Sequence, residues 1–181
     1  QAPPLLKRDF KKLVERDFRK LKQRMIKEFL ENPITMEIMA GPHSPNLSGS
    51  LDGVTNLFAF IGFDQGEDPI APILARLEET QIHFGKFLRT SSSKMGMEFN
   101  VTLPTAEEIF AITPLPWASG RSWAQGIERG LSGLGYLLRK NEGRSGAAIQ
   151  SRVKVRGGRF KNRPYISAFL RKYKMKFEDL K

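Results

Sequence analysis

The residues that could do chemistry in this chain are few. It has two histidines, His43 and His83, and no cysteine. His43 lies in the breaker-dense run Gly41-Pro42-His43-Ser44-Pro45-Asn46, and His83 in an alternating segment. Neither has a histidine or glutamate at metal-ligand spacing. Asp64, Glu67 and Asp68 form an acidic loop whose spacing differs from the twelve-residue calcium loop, and helix capping accounts for Asp68. A metal-dependent nuclease needs converging carboxylates with a lysine, a role that Asp64, Glu98 and Lys94 could fill only if the fold brought them together. The glycines at 130, 133 and 135 match neither GxGxxG nor GxxxxGK[ST], and Leu47-Ser48-Gly49-Ser50 lacks the first glycine of a nucleophile elbow. The residues therefore support neither an enzyme nor a cofactor or metal site.

A denser constellation is basic. Arg152, Lys154 and Arg156 share one face if Ile149–Val155 is a strand, and Arg159, Lys161 and Arg163 follow on a glycine turn. Six cations this close, with Phe160 and Tyr165 beside them, fit either nucleic-acid phosphates or an acidic protein neighbour. The net charge of +11 is segregated. Residues 1–32 hold 10 Lys/Arg against 5 Asp/Glu, residues 33–138 hold 6 against 11, and residues 139–181 hold 14 against 3. Two basic ends around an acidic middle point to a polyanion neighbour or to end-to-middle contacts between copies of the chain.

The elements that must position these residues follow from periodicity. Leu6, Phe10, Val14, Phe18, Leu21, Met25 and Phe29 recur at three- and four-residue steps, predicting an amphipathic helix from about Leu5 to Glu31 that Pro33 stops. Such a helix outruns one small core, so Phe10, Val14, Phe18, Leu21 and Met25 are its candidate assembly stripe. Its removal is expected to leave a folded remainder. Alternation predicts strands over 34–39 and 123–129, the short aromatic run 57–63 bounded by turns reads as another, and Leu134–Arg139 and Ile149–Val155 are the remaining candidates. Two alternating runs, 82–88 and 95–103, read as a hairpin. Asp68 caps a helix through about Thr80 that buries Ile70, Ile73, Leu74 and Leu77. Thr105 with Glu108 forms a capping box. Pro164 opens a last helix with Ile166, Phe169, Leu170 and Tyr173 on one face. The expected architecture is one α+β domain: an extended N-terminal helix over 1–32, an antiparallel sheet of about four to six strands, short helices, and a basic strand-turn-helix segment over 139–181. At 181 residues, 40% of them apolar, the chain can bury a sizeable core. No apolar run approaches the roughly 20 residues that cross a bilayer, and the lack of cysteine fits an intracellular assembly compartment.

Three segments carry a family resemblance: Asn46-Leu47-Ser48-Gly49-Ser50-Leu51, then Trp123-Ala124-Gln125-Gly126-Ile127-Glu128-Arg129-Gly130, then Arg163-Pro164-Tyr165-Ile166 running on to Phe169-Leu170. Their order behind a long charged helix is similar to that of the neck and tail-completion (head–tail connector) proteins of tailed bacteriophages. The first segment lacks that family's arginine, Arg129 interrupts the glutamate–glycine run, and the acidic 57–80 stretch stands as an insertion. The resemblance implies a non-catalytic, cofactor-free virion subunit, assembled in the host cytoplasm. It would form a homo-oligomeric ring between portal and tail proteins, with non-specific contact to packaged DNA and none to membrane. The competing reading of the residues is a free-standing basic nucleic-acid-binding protein. A small nuclease is the third.

Overall fold

The computed structural model describes residues 4–51, 56–89, 95–130 and 160–180. Helix α1 runs Pro4–Leu30, with no internal glycine or proline to break it. Asn32 ends it and starts the next, accepting from the Ile34 N–H at 2.9 Å with Pro33 at the first position, so α2 spans Pro33–Met39. A 3₁₀ turn, Gly41–His43, follows. Then come α3 (Leu57–Ile61), α4 (Ala71–Glu78), the hairpin β1 (Gln81–Arg89) and β2 (Met95–Thr102), and α5 (Ala106–Ala111). The short pair β3 (Pro114–Leu115) and β4 (Ala118–Ser122) precedes α6 (Trp123–Arg129), and α7 (Ile166–Glu178) closes the described chain.

The fold is α+β, as its sequence predicts, but with less sheet. Among the described residues there are two antiparallel sheets of two strands each, β1–β2 and β3–β4. Three segments expected as strands are helices, and capping decides each case. Over 34–39 the capped start makes Ile34, Thr35, Glu37 and Ile38 the inward set and leaves Met36 45% exposed, which alternation would have buried. The segment 57–63 becomes α3 because the Asn56 side chain accepts from the Ala59 N–H at 3.0 Å, and Gly62, at φ 90°, ends the turn. In 123–129 the Ser122 hydroxyl accepts from the Gln125 N–H at 3.1 Å, and Trp123, Ala124 and Ile127 turn inward. The expected strands at 134–139 and 149–155 lie outside the described residues.

Other expectations hold. Ile82 pairs with Val101, Phe84 with Phe99 and Phe87 with Met97, each half-buried on one face of the hairpin. Asp68 accepts from the N–H groups of Ile70 and Ala71 at 3.1 and 3.0 Å, but it lies three residues before α4 begins, with Pro69 outside the helix. Ile70, Ile73 and Leu77 are buried, and Leu74 is partly covered. Thr105 and Glu108 form the reciprocal capping box.

The core is the antiparallel seam of α1 and α7. Phe18 meets Phe177 with ring centres 5.5 Å apart, and Phe29 meets Phe169 at 5.8 Å. Beneath the seam Trp123 sits edge-on to Phe63 at 5.7 Å and beside Tyr165 at 6.4 Å. Val14, Phe18, Met25 and Phe29 are therefore interior residues of their own subunit, which argues against a remainder that folds without α1. Its first turns differ: Leu5, Leu6 and Leu13 are 64%, 44% and 42% exposed. Deleting residues 1–31 is expected to abolish cooperative thermal unfolding, whereas deleting 1–8 should move Tm by no more than about 4 °C, the equivalent of about 1 kcal/mol.

Candidate assembly surface

The three segments that carry the family resemblance are far apart in the chain and meet in space. Residues 160–164 run between the other two. The Lys161 N–H donates to the Ser50 carbonyl at 2.8 Å, and the Arg163 N–H to the Ile127 carbonyl at 3.2 Å. The Arg163 guanidinium donates to the Gly49 carbonyl at 3.2 Å. Gly49 has φ 61°, and a Cβ there would lie 3.2 Å from that guanidinium, so this residue serves both the turn and the close approach. Phe160 stacks on Phe60 with ring centres 5.8 Å apart and planes 10° from parallel. Just after Pro164, Tyr165 is buried, and its hydroxyl shares a bond of 2.9 Å with that of Thr35. Burial holds the phenol well above its ordinary pKa, so it stays neutral.

Two glutamates lock the junction. Glu128 receives the Ser167 N–H and hydroxyl, both at 2.6 Å, which places a carboxyl at the N-terminal end of α7. Glu37, fully buried in α2, accepts from the Ser48 N–H at 2.6 Å and the Leu57 N–H at 2.7 Å. It thereby ties the glycine-rich segment to the start of α3. Neither role is legible in the sequence. Glu128 was visible as the acid of its motif, but Glu37 looked like the polar side of a strand. Nothing local marks a glutamate as the cap of a helix twenty residues away.

Of the six candidate channel or interface cations, Lys161 and Arg163 belong to this junction, both exposed. Arg152, Lys154, Arg156 and Arg159 lie outside the described residues. The candidate assembly stripe divides. Val14, Phe18 and Met25 are buried, Leu21 is partly buried against the core, and Phe10 is half-covered by Phe87, edge-on at 6.3 Å. Several cations of α1 also turn inward in function. Lys22 donates to the carbonyls of Glu78 and of Thr80 (3.0 Å), closing the C-terminal end of α4. Lys7 and Lys11 lie over the rings of Phe87 and Phe84 at 5.8 and 5.0 Å. On the α7 side Glu28 accepts from Lys172 and from the Tyr173 hydroxyl (2.6 Å), and Lys176 lies 5.0 Å over the Tyr173 ring. The Lys172 bond first, then that of Tyr173, holds Glu28 below the ordinary carboxylate range.

Among the described residues no group of three or more His, Asp or Glu side chains converges to hold a metal. His43 and His83 are both exposed, and Lys94 lies outside the described residues. Asp68 is occupied in capping. No described helix is long and apolar enough to cross a membrane. Compared with family models, curated proteins and solved structures, the chain matches none.

Two outcomes test the junction. Glu128→Ala should cost about 1–2 kcal/mol in denaturant unfolding, as for loss of a helix cap, with Glu128→Gln costing less because one acceptor remains. Glu28, with its folded-state pKa lowered, stabilises the protein fully above its unfolded value of 4.5. That contribution disappears as pH falls through the lowered folded value. Glu28→Gln should therefore flatten the acid limb of a stability–pH profile below about pH 5.

Proposed function

We propose that this protein is a structural virion subunit that forms a ring at the phage neck or head–tail junction, joining the portal or connector to the tail around the DNA channel. The observation that carries the proposal is the division of α1. Its last four turns are core, while its first turns hold three leucines in water beside a cluster of lysines and arginines. Bare leucines set among cations, at the end of a helix whose remainder is core, suit a surface that meets a neighbour. The convergence of the three resemblance segments on one junction supports the same reading, because their shared order then reflects a shared scaffold. The segregated charge suits a head-to-tail contact, which closes into a ring where the rotation permits. In this reading the basic segment ending in Lys161 and Arg163 contacts DNA phosphates or an acidic neighbour without reading sequence.

The second reading, a free-standing nucleic-acid-binding protein, is favoured by one feature. Arg24, Lys172 and Lys176 gather around Tyr173 with Glu28 as the carboxylate among them. Light scattering at high salt followed by electron-microscope class averages separates the two. The expected result is a closed ring of many copies whose duplex-DNA affinity is weak and sequence-blind. A monomer at every concentration, with tight DNA binding that weakens steeply between about 50 and 200 mM salt, would overturn the ring and establish the nucleic-acid binder.

A further inference from the structure

We propose that the first three turns of α1 dock on the acidic loop between α3 and α4 of a second copy of this chain, an inference that rests on the ring reading and names the two surfaces it needs. On one side of these turns Lys7, Phe10 and Lys11 lie against the hairpin rings of Phe87 and Phe84. The other side is uncovered. Leu5, Arg8 and Lys12 follow one another at three- and four-residue steps, and Leu6 and Leu13 stand seven apart, two turns along one face. All five are exposed. Among the described residues Arg8 reaches only the adjacent Asp9, at 3.8 Å, and that pair is itself solvated. The uncovered side of residues 4–13 thus presents Arg8 and Lys12, with Asp9 as its carboxylate, around three bare leucines.

The complementary surface is residues 62–68, with Asp64, Glu67 and Asp68 and no cation. None of these three carboxylates meets a lysine or arginine among the described residues. The loop is nonetheless held in shape. Gly62 and Phe63 both donate to the Phe58 carbonyl, at 3.2 and 3.3 Å. Phe63 packs on Phe58 at 5.4 Å, and Glu67 accepts from the Asp64 N–H at 3.0 Å. Asp68 is fixed by its bonds to Ile70 and Ala71. A braced loop presents its charge with little ordering left to lose. The chain's own α1 does not serve this loop: it meets α4 at the opposite end, through Lys22 on Glu78 and Thr80, while its first turns follow β1. Because the basic-apolar surface and the acidic loop are different patches, the contact is heterologous and each copy offers one of each. Charge sets the pairing, and the leucines supply the part that survives salt.

Charge reversal tests this on the full chain by sedimentation velocity, with circular dichroism to check each fold. Arg8→Glu with Lys12→Glu, and separately Asp64→Lys with Glu67→Lys, should each weaken self-association at least about tenfold. Mixing the two variants should restore assembly, since each then offers the surface the other lost, and so should all four changes in one chain. Leu6→Ser with Leu13→Ser should keep the fold and release subunits at high salt. Reversal variants that assemble like the wild type, or a mixture that stays dissociated, would overturn the docking while leaving the ring reading standing. A wild-type chain that remains a monomer at every concentration would overturn both.

Discussion

The structure depends on seating one tyrosine. Tyr165 lies between Phe29 of α1 and Trp123 of α6, with its only polar atom satisfied by Thr35 of α2. A buried phenol without that partner would forfeit about 1–3 kcal/mol of what its ring gains, so the bond adds α2 to the α1 and α6 contacts made by one side chain. Once Tyr165 is seated, α7 starts one residue later in a fixed direction. Glu128 caps it, and it runs back along α1 to bring Phe177 against Phe18. The preceding residues, 160–164, then lie across Ser50 and Ile127 and draw the remaining segments into the same junction.

The length of α7 explains the division of α1. Thirteen residues of α7 cover a little under 20 Å, whereas the 27 residues of α1 cover about 40 Å. Pairing begins near Phe29 and ends near Phe18, so the apolar stripe outlasts its cover. The hairpin fills part of the gap by laying Phe84 and Phe87 beside Lys11 and Phe10, which leaves one side of the first turns open. An amphipathic stripe thus has two fates in one helix, interior and exposed.

Electrostatics divides in a similar way. Several charges that look like solvated surface in the sequence are fixed to backbone ends: Lys22 on the carbonyls of Glu78 and Thr80 at the end of α4, Glu128 on the Ser167 N–H in the first turn of α7, and Glu37 on the N–H of Leu57. These positions satisfy groups that helix termini leave without partners. The α3–α4 loop contrasts with them, since Asp64 and Glu67 are held by local geometry but meet no opposite charge among the described residues.

What the sequence determined by itself was local and periodic. Long periodicity without breakers identified α1, the Thr105–Glu108 spacing identified its capping box, and alternation across a polar loop identified the hairpin. Each of these rests on residues within about four positions or on a repeated face. The segments 34–39, 57–63 and 123–129 misled because a run of five to seven residues supports either period, and the choice fell to Asn32, Asn56 and Ser122 as caps. Only the tertiary structure decided that Val14 to Phe29 are core while Leu5, Leu6 and Leu13 are not. Nothing along α1 differs in type between those leucines and the buried residues. The difference is made by where α7, more than a hundred residues away, begins and ends, and that is set by the packing of Tyr165 rather than by any pattern a neighbouring residue could show.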